Sequence, residues 1–175
     1  MITLNRFNRS LLLLFSIILF IYSCNSKRSG DPKVLIFSKT AGFYHESIPD
    51  GIAAIMKLGA ENGFDVDTTT NADLINEDNL KQYSAVIWLS TTGNVLDHYQ
   101  EADFERYIQA GGGYVGIHAA SDTEYHWGWY NRLVGGNFSY HPGIGDPYPN
   151  VQDGTLRVTD REHSTTRFLP ELWNR

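Results

Sequence analysis

Four short runs of strand-forming residues, separated by stretches with helical spacing, constrain this chain more than any other feature. Lys33-Val34-Leu35-Ile36-Phe37-Ser38 is apolar and rich in β-formers, which predicts a buried strand. Ser47 stands where a helix N-cap belongs, with Pro49 and Asp50 in the first turn. Ile52, Ile55, Met56 and Gly59 keep helical spacing up to an Asn62-Gly63 stop. Phe64 to Thr68 predicts a second strand, and Leu74 to Tyr83 a short, partly helical connection. Ala85-Val86-Ile87-Trp88-Leu89 is continuously apolar, as expected of a strand covered on both faces. An amphipathic helix over Asp97 to Ala110 ends at Gly111-Gly112-Gly113. Tyr114-Val115-Gly116-Ile117 is the fourth strand, and a further helix is expected around Trp127 to Leu133. Strand, helix, strand, helix at this spacing predicts an α/β fold with a parallel sheet and right-handed crossovers. Ligands of open parallel sheets bind outside the carboxyl ends of the strands. Ser38 to His45, Ser90 to Asn94 and His118 to Glu124 are therefore the segments to search.

The N-terminus has another purpose. Arg6 and Arg9 precede an apolar run from Leu11 to Tyr22, which ends in Ile21-Tyr22-Ser23-Cys24. A basic start, a short apolar core and a small residue before Cys predict a lipoprotein signal peptide over residues 1–23, with Cys24 lipidated. Residues 24–32 read as a polar tether. That places the folded domain, residues 33–175, at the bacterial cell envelope, held to the membrane by its lipid. Beyond residue 23 there are 12 basic and 20 acidic side chains, a balance of −8. An acidic domain without Lys/Arg stripes argues against nucleic acid as a partner. Cys24 is the only cysteine, so the domain has no internal disulfide, no thiol nucleophile and no Cys-ligated metal.

The sharpest chemical feature is Gly116-Ile117-His118-Ala119-Ala120. A strand runs into a turn with small residues on either side of one polar side chain, which is the logic of a nucleophile elbow. Here the projected group is an imidazole, able to act as an acid, a base or a metal ligand. His45, in Gly42-Phe43-Tyr44-His45-Glu46-Ser47, follows the first strand. Ser47 opens a helix whose N-terminus favours anions. His141, in Gly135-Gly136-Asn137-Phe138-Ser139-Tyr140-His141-Pro142, is kept extended by Pro142. His45, His118 and His141, with Asp122 as partner or orienter, suit zinc or a similar divalent ion. Metal-free acid/base work and plain ligand recognition remain open. Trp127 and Trp129, beside Tyr125 and Tyr130, are candidate sugar-stacking faces, although a helix-core role suits most of this aromatic cluster better. Thr91, in Ser90-Thr91-Thr92-Gly93, is a candidate hydrogen-bond donor to ligand.

Gly42-Phe-Tyr-His45-Glu-Ser47, Gly111 to Asp122 and Gly135 to Pro142, taken together and in order, resemble the ThuA-like (trehalose utilisation) domain over residues 33–175. The resemblance implies a flavodoxin-like three-layer sandwich similar to class I glutamine amidotransferases. Those enzymes carry cysteine at the elbow. With His118 there instead, thioester chemistry on glutamine is excluded. The family association implies a role in carbohydrate utilisation, of trehalose or a 3-keto sugar. His118 would act as base or metal ligand, and a lyase, isomerase or hydrolase is the implied enzyme. A non-catalytic saccharide-binding or scaffold lipoprotein is the other expectation. ThuA-like domains continue through further strands and a closing segment, so this domain is expected to be short at its C-terminal end.

Overall fold

The computed structural model describes residues 30–143, 147 and 151–175. The signal peptide and Cys24 lie outside the described residues. Four strands form one parallel sheet: β1 (Lys33–Phe37), β2 (Asp65–Thr69), β3 (Ala85–Leu89) and β4 (Gly113–Ile117), in the order β2-β1-β3-β4. Helix α1 (Ile48–Asn62) connects β1 to β2. A 3-10 turn (Ala72–Leu74) and the short α2 (Glu77–Leu80) connect β2 to β3, and α3 (His98–Gln109) connects β3 to β4. After β4 come a 3-10 turn (His118–Asp122) and α4 (Gly128–Val134).

Alternation along the strands builds two cores. Leu35, Phe37, Val86 and Trp88 point to one face and pack with Phe104 and Tyr107 of α3 and Tyr130 of α4. Ile36, Ile87 and Leu89 point to the other and pack with Ile48 and Ile55 of α1. Both faces of β3 are therefore covered, which is why its sequence has no polar alternation. The fold is the expected flavodoxin-like α/β arrangement of helix, sheet and helix.

The predicted stops hold, for identifiable reasons. Gly63 takes φ 72° and its N–H donates back to the Gly59 carbonyl, closing α1. Asp97 accepts from the N–H groups of Tyr99 and Gln100, and the Gln100 side chain accepts from the Asp97 N–H. This reciprocal cap sets the start of α3. Ser47 does occupy the position before α1, but its hydroxyl makes no capping bond. A β-hairpin of β5 (Thr155–Arg157) and β6 (Leu172–Asn174) pairs antiparallel, separate from the main sheet. The strand-like Thr155 segment thus finds its partner in the last residues of the chain. No helix among the described residues is long and apolar enough to cross a membrane.

Candidate functional site

The sheet does not stop at its strand ends. Thr40 bridges Thr92, and Gly93 bridges Thr123, both in parallel register. The Ala41 N–H donates to the Thr92 carbonyl (2.7 Å) and the Gly93 N–H to that of Asp122 (2.8 Å). The loops after β1, β3 and β4 are thus laced together in the order of the strands that feed them. Three non-glycine residues have positive φ among the described residues: Ser90 (51°), His118 (51°) and Glu124 (53°). Ser90 and His118 directly follow β3 and β4. The strain is therefore gathered at the carboxyl edge, where ligands of such sheets bind.

His118 is the first residue past β4. A Cβ on Gly116 would meet the Tyr114 hydroxyl at 2.6 Å and the Ala120 Cβ at 3.2 Å. A side chain there would have to displace the Tyr114 hydroxyl, which is hydrogen-bonded to that of Tyr130 (2.8 Å). Ala119 and Ala120 are buried, and the Tyr130 hydroxyl donates to the Ala120 carbonyl (2.8 Å). This tight packing turns the chain through a left-handed residue and sends the His118 ring into a cavity of about 600 Å³.

His45, Asp122, Phe43, Phe138 and His141 line the same cavity. The rings of His45 and His118 meet edge to face, with centroids 4.6 Å apart and planes at 89°. His45 Nδ1 is buried without a hydrogen-bond partner. Burial above all, and then the neighbouring His118, holds the His45 pKa below its ordinary value, while the charge of Asp122 works the other way. Asp122 accepts from the Tyr125 hydroxyl at 2.5 Å. Burial and that contact push the Tyr125 pKa up to about 12, so Tyr125 serves as a donor and not as a base. His141 is exposed, with Nδ1 3.1 Å from the Pro142 carbonyl.

The family model for ThuA, trehalose utilisation, matches residues 33–175. The chain belongs to the ThuA family. A solved protein from Bacteroides uniformis, described as ThuA-like, is 28% identical and superposes with a TM-score of 0.68 over 87% of this chain. The match spans 61% of that protein's chain. No protein of curated function matches.

Several expected site residues lie elsewhere in this ThuA domain. Trp127 is only 8% exposed. It stacks on Tyr130 (centroids 5.5 Å) and on Trp129 (5.3 Å), and its indole N–H donates to Glu105 (3.0 Å). Trp127 belongs to the core beneath α3 and α4, Trp129 is half-buried against that core, and neither borders the cavity. Their expected role as sugar platforms is corrected on that ground. Thr91 is fully buried and shares a hydrogen bond with Thr123 (2.9 Å); it ties loops together and is not open to a ligand. Ser47 is exposed but does not line the cavity. Asp122 is in the site, but the partner it accepts from is Tyr125 and not an imidazole. Among the described residues, no group of three or more His, Cys, Asp or Glu side chains is placed to hold a metal ion.

Glu124 lies in a segment the sequence marks for search, but its partners were not foreseen. It is 2% exposed, and its Oε1 accepts from the N–H groups of Val95 (2.7 Å) and Leu96 (2.8 Å). Its partners lie 29 and 28 residues away, so no local pattern announces it. Phe43 and Phe138 also line the cavity; they stand inside the matching motifs but look like ordinary apolar residues there.

Proposed function

We propose that this chain processes an oxidised sugar in the His45–His118 cavity, with His118 as general base. The observation that carries the reading is the His118 backbone. A left-handed conformation at a strand end is costly for a side-chain-bearing residue, and this one directs the imidazole into a ligand-sized cavity beside a second imidazole. The family description, trehalose utilisation, supports a carbohydrate as the ligand.

A ketone in a sugar ring acidifies the C–H bond beside it. His118 in its uncharged form removes that proton, and the bonding electrons move onto the ketone oxygen. His45, whose pKa burial and His118 lower against the charge of Asp122, donates a hydrogen bond to that oxygen, as a neutral imidazole does when it serves as electrophile. Where the deprotonated carbon bears a hydroxyl, that hydroxyl passes its proton to the former ketone oxygen and the His118 imidazolium returns the carbon-bound proton to the former carbonyl carbon, which shifts the ketone along the ring. Where the next carbon bears a leaving group, the electrons on oxygen re-form the ketone, a C=C bond forms, and the group departs with the proton that His118 took up. Cys24, as a lipidated residue, would hold this chemistry at the envelope.

His118→Ala tests the reading on a 3-keto disaccharide, with folding followed by circular dichroism. Loss of turnover in a folded variant is expected, and turnover at the wild-type rate sinks the base assignment. Metal content is measured in the same samples. Near-stoichiometric metal that disappears in His118→Ala and His141→Ala would make the histidines ligands instead. For the anchor, labelled fatty acid should be incorporated by the wild type and not by Cys24→Ala; equal labelling refutes lipidation there.

A further inference from the structure

Two aromatic rings border the cavity and contribute little to the core. Phe43 is 70% exposed and Phe138 is 38% exposed, yet both line the wall that carries His45, His118 and Asp122. Their backbones are fixed even though their rings are open. The buried Thr92 hydroxyl donates to the Phe43 carbonyl (2.8 Å) and accepts from the Gly42 N–H (3.2 Å). The Phe138 N–H donates to the Ser121 carbonyl (2.8 Å), and its own carbonyl lies 2.9 Å from the Tyr125 hydroxyl, whose one proton is shared between this carbonyl and Asp122. Exposed rings on pinned backbone are pre-organised for a partner, because little ordering remains when one arrives. Each ring also touches a histidine. Phe43 meets His45 edge-on at 4.9 Å, and Phe138 lies 5.5 Å from His141.

The cavity therefore offers two apolar faces near its mouth, with imidazoles and a carboxylate beside them. A ring-form sugar matches that pattern. One side of a pyranose is a patch of C–H groups that packs on an aromatic face, and its rim is hydroxyl. An open-chain polyol has the same hydroxyls and no flat C–H face. We infer that Phe43 and Phe138 are the stacking platforms that hold a pyranose ring over His118. This assignment rests on the sugar reading above. It gives the two phenylalanines the task that the core-packed Trp127 and Trp129 do not perform.

The test is titration calorimetry of the purified protein with trehalose as probe and mannitol as the open-chain control. Phe43 is mostly exposed, so Phe43→Ala should unfold near the wild-type temperature, whereas Phe138→Ala, at a residue 38% exposed, should unfold a few degrees lower and stay folded at the assay temperature. Each is expected to weaken trehalose binding about tenfold, the worth of one aromatic contact. Phe43→Tyr and Phe138→Tyr keep the ring and should bind as the wild type does, and weakened binding in alanine variants that still unfold cooperatively separates lost stacking from lost folding. Mannitol binding should be weak in every variant. Trehalose bound equally by wild type and both alanine variants overturns the clamp, and leaves the sugar reading to stand on His118→Ala. Trehalose bound no better than mannitol by the wild type overturns the stacking assignment, and a 3-keto disaccharide that is neither bound nor turned over overturns the sugar reading as well.

Discussion

Replacing Glu124 separates its two properties, acceptor and charge. Its Oε1 holds two backbone N–H groups, those of Val95 and Leu96, in the loop that leads into α3. A hydrogen bond to a charged acceptor contributes about 1.5–3 kcal/mol, and a buried donor left without a partner costs about 1–3 kcal/mol. Val95 is buried and Leu96 half-buried, so one donor counts fully and the other only in part. Glu124→Ala should therefore cost about 3 kcal/mol. Glu124→Gln keeps an oxygen in the same place and removes the charge, so it should lie within about 1 kcal/mol of wild type at pH 8. The pH dependence has a definite sign. Burial is the largest influence on Glu124 and raises its pKa, against the two backbone bonds. The folded state then holds the proton longer than the unfolded chain. The contribution is fullest below the unfolded value, falls as pH climbs through the folded one, and is flat above it. The wild type should thus lose ground to Glu124→Gln between pH 4 and pH 8. Urea unfolding of the three proteins at both pH values measures this. Glu124→Ala within about 0.5 kcal/mol of wild type would refute the clasp. Wild type gaining on Glu124→Gln as pH rises would refute the burial argument.

Two further outcomes follow from the histidine pair. His118→Gly should be more stable than His118→Ala by about 1 kcal/mol in urea unfolding, because glycine accepts φ 51° without the Cβ conflict; equal stabilities would show that the turn stores no strain. In an NMR titration the His45 midpoint should lie below 6.5, rise in His118→Ala and fall further in Asp122→Asn, since the first removes a lowering influence and the second a raising one. With its folded pKa lowered, His45 favours the folded state fully above about 6.5 and progressively less as pH falls from there. A midpoint unmoved by either substitution would refute the coupling.

The architecture was legible because it rests on local pattern. The apolar runs of β1, β3 and β4, the Asn62-Gly63 stop and the glycines after α3 each act through residues next to them in the chain. His45, His118, Asp122 and His141 were legible as neighbours because strand order brings the carboxyl-end loops together. What failed was the distinction between aromatics that fill and aromatics that face outward. Trp127 and Trp129 sit beside the elbow in sequence, but α4 turns them against Phe104 and Tyr130. Phe43 and Phe138 look less promising in sequence, and their exposure depends on loops pinned by Thr92 and Tyr125. Thr91 looked like a donor to ligand because its partner, Thr123, lies 32 residues away. β6 was not anticipated for the same reason, since its pairing with β5 spans a long connection.

The bridges Thr40–Thr92 and Gly93–Thr123 also limit how such a site changes over time. Loops that only flank a sheet can lengthen or shorten one at a time. These three share a ladder, so an insertion in one displaces the register of the next and moves the imidazoles relative to each other. New specificity is then more accessible through side chains on the fixed frame than through loop length. The mouth of the site is inherited as one block, and grafting it onto another sheet would require moving all three segments together.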